Sequence, residues 1–173
     1  MTFEVEKEWT TEAGLKAVVL CSVNQMLTST WERKGHRCGY VGVPPSFSTY
    51  GKGYSEQLPE IKQEDVDNIE IGNKSPCLIL TAVCNSDIPG ETVRRSLDIL
   101  INAHGGLTYA GGNDNYPIER KEGEEVWWFG FDCCHYDDIE EIGGQTLEYC
   151  IAECESISSQ LVSLEERKYN EHS

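Results

Sequence analysis

The residues best suited to acid–base chemistry are three histidines at the ends of predicted strands. His36 precedes one strand, His104 opens a His-Gly-Gly turn, and His135 closely follows the apolar run WWFGF at 127–131. Strand ends display side chains to clefts, so we expect these imidazoles to converge. Hydrolysis needs a base with a pKa near neutrality, an acid for the leaving group and a group that stabilises negative charge.

These histidines and their neighbours supply each of those parts. His104 and His135 are the candidate base and acid, and Asp132 or Asp137 is the candidate carboxylate that orients an imidazole. His36 stands beside the densest cluster of basic residues in the chain, at 33–37. The candidate anion-binding groups are basic side chains and glycine backbone: Arg33, Lys34, Arg37, Gly105 and Gly106. A phosphodiester is the substrate that suits this set.

The alternatives are metal binding and nucleophilic catalysis by Cys133 or Cys134 beside His135. The chain has eight cysteines and four histidines but no Cys-x-x-Cys pair, a spacing that is typical of structural zinc sites. The weak zinc candidates are Cys38, near His36, and Cys133, near His135. A carboxylate at 137–138 suits a single Mg²⁺ ion. Both a metal-independent site and a site with one divalent ion therefore stay open.

Apolar periodicity predicts the elements that position these residues. We expect strands at 3–9, 37–43 and 126–131, a helix from Thr10 or Thr11 to about Leu27, and a long amphipathic helix from 145 to about 168. The apolar run at 76–84 fits a strand or a buried helix. The predicted fold is a single α+β domain at 1–173: a mainly antiparallel sheet with an N-terminal helix and a long C-terminal helix.

Charge restricts the class of partner. The 173 residues carry 30 acidic and 14 basic side chains, a formal net charge of −16, and this charge disfavours binding of free long nucleic acid. The imbalance is regional, because residues 1–50 are neutral whereas residues 119–141 alone contribute −7. The chain contains no apolar run long enough to span a membrane, and it begins with acidic residues rather than a signal peptide. We therefore expect a cytoplasmic protein without a membrane partner.

Three blocks of sequence resemble a family of small proteins encoded by bacteriophages and prophages. The blocks are HRCGYVGVP at 36–44, HGGLTY at 104–109 and WWFGFDCCH at 127–135. Where the family pattern has alanine and then a small residue, this chain has Cys134 and Tyr136. The resemblance implies a shared polar site of His36, Cys38, His104, Gly105, Gly106, Asp132, His135, Asp137 and, in the long helix, Glu153. Tyr109 closes the second block and is a candidate binding residue.

The resemblance implies a phage setting, in which small acidic proteins often antagonise host defence, as anti-CRISPR proteins do. Two mechanisms fit the composition. In the first, the His/Asp site cleaves a phosphodiester in a guide RNA or a small nucleotide signal. In the second, the acidic surface imitates nucleic acid and blocks a host Cas-type nuclease without catalysis. The glycine-rich turns and the clustered histidines favour the first.

Overall fold

The computed structural model describes residues 2–23, 34–58, 96–112, 116–134 and 145–170. Within these ranges, the chain forms five strands and two helices. They are β1 (Thr2–Thr10), β2 (Lys16–Val23), β3 (Lys34–Val43), α1 (Leu97–Leu100), β4 (Tyr109–Gly111), β5 (Trp127–Asp132) and α2 (Leu147–Asn170).

The strands form one sheet in the order β1-β2-β3-β5-β4, and each neighbouring pair is antiparallel. The predicted α+β fold with a mainly antiparallel sheet and a long C-terminal helix is confirmed. The strand predictions at 3–9, 37–43 and 126–131 are confirmed as β1, β3 and β5, and the helix prediction at 145 to 168 is confirmed as α2. The run at 76–84 lies outside the described residues.

The two faces of the sheet carry different cores. On one face, which we call the helix face, Val41 of β3 and Phe131 of β5 pack with Cys154, Ile157 and other apolar residues of α2. On the opposite face, the outer face, a smaller cluster contains Val18, Leu20, Cys38, Tyr40 and Trp128. Because side chains alternate along a strand, residues 36, 38 and 40 lie on the outer face and residues 37, 39 and 41 lie on the helix face.

The prediction of an N-terminal helix from residue 10 or 11 to about 27 is wrong, because residues 16–23 form strand β2. β2 lies between β1 and β3, and it is apolar on both faces: Ala17 and Val19 belong to the helix face, and Val18 and Leu20 belong to the outer face. A strand buried on both sides loses the alternation of apolar and polar residues, so its pattern is easily mistaken for that of a helix. Thr11 caps no helix. It lies in the turn between β1 and β2, where its Oγ1 donates to the Leu15 carbonyl and accepts from the Leu15 N–H.

Glu155 of α2 connects the helix to β1, the edge strand of the sheet, and to the turn that follows β1. Its carboxylate accepts hydrogen bonds from Trp9 Nε1 at 2.7 Å and from the backbone N–H of Glu12 at 2.9 Å. We expect Glu155→Ala to lower the free energy of unfolding by about 1–2 kcal/mol, since two donors lose a charged acceptor. Urea unfolding measures this loss; Glu155→Gln, which keeps an acceptor, should lose less, and equal losses in both variants would contradict the assignment.

Among the described residues, no helix is both long enough and apolar enough to cross a bilayer.

Candidate functional site

Residues 102–106, which we call the His104 turn, are hydrogen-bonded to one side of α2. Gln160 forms two hydrogen bonds with Asn102, accepting from its N–H at 2.7 Å and donating to its carbonyl at 3.0 Å. Glu153 Oε1 accepts the backbone N–H of His104 at 2.6 Å. Residues 149, 153 and 160 recur at helical spacing, so α2 presents them along a single stripe. The helix therefore holds the turn at three points, and Tyr149 provides the third.

The imidazole of His104 lies against Tyr149. Nδ1 and the phenol oxygen are 2.9 Å apart, and the two rings meet edge to face with centroids 5.5 Å apart. His104 is half-buried, and Tyr149 is 38% exposed. The contact to Tyr149 fixes the orientation of the ring. When Nδ1–H donates to the phenol oxygen, Nε2 of the neutral ring carries the lone pair of a base. In the imidazolium both ring nitrogens carry protons, and Nε2–H is then the acid. This arrangement can take up and release a proton at the surface.

Glu153 is partly buried beneath the turn. Burial raises the pKa of its carboxyl above the ordinary value, while the His104 N–H and the charge of the imidazole act in the opposite direction. A carboxylate desolvated in this way is tolerated because it receives a short hydrogen bond from the backbone. Glu153 is thus a positioning residue for the turn.

The raised pKa of Glu153 predicts a pH-dependent effect of its replacement. A carboxyl whose pKa rises on folding stabilises the fold below its unfolded pKa, and that stabilisation is lost as the pH rises through the folded pKa. Glu153→Gln keeps the acceptor for His104 but cannot ionise. We expect its stability relative to the wild type to increase by less than about 1 kcal/mol between roughly pH 4 and pH 7. Urea unfolding at both pH values tests this, and a decrease over that interval would contradict it.

Several other predicted site residues lie on the outer face. His36 Nδ1 is 3.4 Å from Ser22 Oγ, and its ring packs edge-on against Phe3. Cys38 pairs in register with Asp132, whose Oδ1 accepts the Cys134 N–H. Burial raises the pKa of the Cys38 thiol to about 12, which makes it a poor nucleophile at neutral pH. Tyr109 packs edge-on against Tyr40 and Tyr116 on this same face.

The sheet therefore separates the predicted histidines. His104 packs near Phe131, Tyr149 and Glu153 on the helix face, whereas His36 lies on the outer face. The structure brings together His104 and Glu153, and it does not bring His36 to them. His135, Asp137 and Arg33 lie outside the described residues, as does the Lys34 side chain.

Arg37 has protein partners where a phosphate was expected. Its guanidinium donates to Glu6 from Nε at 2.5 Å and from Nη2 at 3.1 Å, and Nη1 donates to the Gln145 carbonyl at 2.8 Å. The Glu6 hydrogen bond raises the pKa of Arg37. This half-buried cluster joins β1 and β3 to the residues that precede α2. Its evident role is to position the start of the helix that carries Tyr149.

Gly105 and Gly106 set the path of the backbone through the His104 turn, but they do not offer all of the expected backbone N–H donors to an anion. Gly105 and Gly106 have φ values of +64° and +92°, which favour glycine. The Gly106 N–H donates to the Ala103 carbonyl at 2.8 Å and is used inside the turn. The two glycines direct the chain from His104 into the buried Leu107 and then into β4.

Tyr149 is the site residue that sequence reasoning missed. It flanks the apolar stripe of α2 and stands four residues before Glu153, so a helical projection of residues 145–160 places both on the same side. Its hydroxyl needed a partner from a distant turn, and that pairing was visible only after the fold was known.

Comparisons of the chain with protein-family models, with curated proteins and with solved structures found no match. The fold and the site define the class of the protein as an α+β domain that carries a histidine–tyrosine pair at the junction of a glycine turn and a long helix.

Proposed function

We propose that this chain is a hydrolase-type enzyme that cleaves a phosphodiester and uses His104 as its general acid–base residue. The observation that carries the proposal is the half-exposed His104, whose imidazole contacts the Tyr149 hydroxyl and whose backbone N–H donates to Glu153. A positioned imidazole of this kind contributes about 10²–10⁴-fold to proton-transfer reactions.

The proposed reaction needs two proton transfers. His104 Nε2 removes the proton of the attacking hydroxyl, a ribose 2′-OH or a water, while the new P–O bond forms. The bond to the leaving oxygen then breaks, and that oxygen takes a proton from an acid. We propose His135 as that acid. Tyr149 accepts Nδ1–H from the imidazolium that forms and thereby stabilises its orientation.

The net charge of −16 limits the classes of substrate that we propose. Long free RNA is repelled by such a chain, whereas a small nucleotide signal, or a guide RNA already bound by a Cas-type host nuclease, avoids most of that repulsion. The phage resemblance supports an anti-defence, anti-CRISPR-like role in the host cytoplasm. The described residues contain no group of three or more candidate metal ligands, and a single divalent ion stays part of the proposal to be tested.

The alternative is an acidic protein that blocks a host nuclease by imitating nucleic acid. In the segment 119–125, which contributes to the acidic excess, Glu124 pairs with Lys16 and Glu125 pairs with Arg120 at 3.5 Å. Lys121 pairs with Glu8 of β1 at 3.0 Å. Glu124 and Glu125 are therefore already paired with cations of this chain, and the cations of a partner would have to displace those pairs, so the geometry favours the enzyme.

Incubation with three probes tests the proposal: an RNA oligonucleotide, DNA of the same sequence and a cyclic dinucleotide, each with and without a metal chelator. We expect cleavage of RNA or the cyclic dinucleotide in multiple turnovers, with loss of cleavage in His104→Ala. Stoichiometric inhibition of a Cas-type nuclease, with no product from any probe and weakening by Glu122→Lys, would instead support the mimic. Glu122 suits that test because it takes part in none of the three ion pairs named above.

A further inference from the structure

Two buried cysteines, one directly after β5 and one in α2, have neighbouring sulfur atoms. Cys133 follows the last residue of β5, and Cys150 lies in the first turn of α2. Their sulfur atoms are 3.7 Å apart, and both residues are almost fully buried, with exposures of 1% and 0%. A disulfide bond has sulfur atoms roughly 2.05 Å apart, so the two sulfurs need to approach by about 1.7 Å.

We propose that Cys133 and Cys150 form a redox-modification site, in which a peroxide oxidises the two thiols to an intramolecular disulfide. The inference is independent of the reaction assigned to His104. It rests on the distance between the sulfur atoms and on the surroundings of Cys150, which differ from those of the other buried thiols.

The surroundings favour Cys150 as the sulfur that reacts first. The hydrogen bond from Cys133 and the positive charge of Arg37 lower the pKa of the Cys150 thiol, against the effect of burial. At Cys154, one turn further along α2, burial is the largest effect and raises the pKa of the thiol. Because the thiolate is the nucleophile, Cys150 is more reactive than Cys154.

The reaction balances with one peroxide molecule. The Cys150 thiolate attacks one peroxide oxygen, the O–O bond breaks, and Cys150 becomes a sulfenic acid while the second oxygen leaves as water after protonation. Cys133 then attacks the sulfenic sulfur, the S–S bond forms, and the hydroxyl leaves as a second water. Two thiols are oxidised by two electrons, and the peroxide is reduced by two.

A small, uncharged oxidant has a short path to this pair. Cys134, next to Cys133, is exposed, and Tyr149, next to Cys150, is 38% exposed. Each cysteine is therefore next in sequence to a residue with an exposed side chain. The disulfide would link the end of β5 to the first turn of α2, the turn that also carries Tyr149.

Peptide mapping of the oxidised protein tests the proposal. The full chain is treated with hydrogen peroxide, remaining thiols are alkylated, and the unreduced protein is digested after glutamate, because Glu140, Glu141 and Glu148 separate the two cysteines in sequence. The matched control is Cys134→Ser, which removes the exposed neighbour and leaves Cys133 as the cysteine of its peptide. We expect the linked peptide in both the wild type and Cys134→Ser, and its disappearance in Cys150→Ser.

Oxidation should also raise the thermal midpoint by roughly 5 °C, and a dithiol reductant should reverse the rise. A link that is lost in Cys134→Ser would overturn the proposal, because Cys134 would then be the partner. Sulfinic or sulfonic acid at Cys150 without any link, or links only between separate molecules, would also overturn it.

Discussion

His104→Ala is expected to lower kcat by about 100-fold or more, which corresponds to roughly 2.7 kcal/mol of lost transition-state stabilisation. The variant removes the imidazole but keeps the backbone N–H that Glu153 accepts. The fastening of the turn to α2 through Asn102 and Gln160 also remains. The thermal midpoint should therefore stay close to that of the wild type, and this separates a lost catalytic group from a lost fold.

Chemical rescue with added imidazole provides a second test of His104→Ala. If His104 transfers protons, a small imidazole that enters the vacated space should restore part of the rate of His104→Ala. Tyr149→Phe should lose less activity than His104→Ala, and the pH profile of kcat/KM should shift, because the phenol no longer bonds Nδ1. A merely structural Tyr149 would lower stability and leave the pH profile in place.

Gly39→Ala is expected to destabilise the protein by about 3 kcal/mol, which is a fall of roughly 6–12 °C in thermal midpoint. A Cβ at this position would lie 2.4 Å from the Phe131 ring and 2.9 Å from Cys154 Sγ. Gly39 is in the central part of β3, which is paired on both sides. The backbone therefore has little freedom to retreat, and either the ring or α2 must move away from the sheet.

Gly53→Ala is the matched control for that variant. A Cβ on Gly53 has its nearest neighbour at 3.8 Å, in ordinary van der Waals contact, so we expect a change within about 0.5 kcal/mol. Thermal and urea unfolding of both variants measures the difference. Equal stability of the two variants would show that α2 does not approach β3 as closely as the structure has it.

The elements with one apolar face were predictable from sequence. α2 repeats its apolar residues at helical spacing because one side packs on the sheet. β1 alternates apolar and charged residues as a strand does, but a shift in register between Val5 and Lys7 puts Phe3 on the outer face and Trp9 against the helix-face core. β2 was not predictable in this way. It is covered on both faces, and the signal that distinguishes strand from helix vanishes when both faces are apolar.

The site was predictable in part for a comparable reason. His104 was found because it opens a glycine turn, and Glu153 was implied by the resemblance. The expected convergence with His36 failed because residues at the ends of strands point to either face, and the face depends on register. His36 and Cys38 share the parity of Tyr40, which places them on the outer face. Arg37, between them, points to the helix face and donates hydrogen bonds to Glu6 and to the Gln145 carbonyl.

The central claim is that the acid–base site lies on the helix face, and a comparison of two histidine variants tests it most directly. Initial rates are measured for His104→Ala and His36→Ala on the same cleaved probe, each with its thermal midpoint. We expect a loss of about 100-fold for His104→Ala and a rate within about 3-fold of the wild type for His36→Ala. A wild-type rate in His104→Ala, or a large loss confined to His36→Ala, would contradict it and move the site to the outer face.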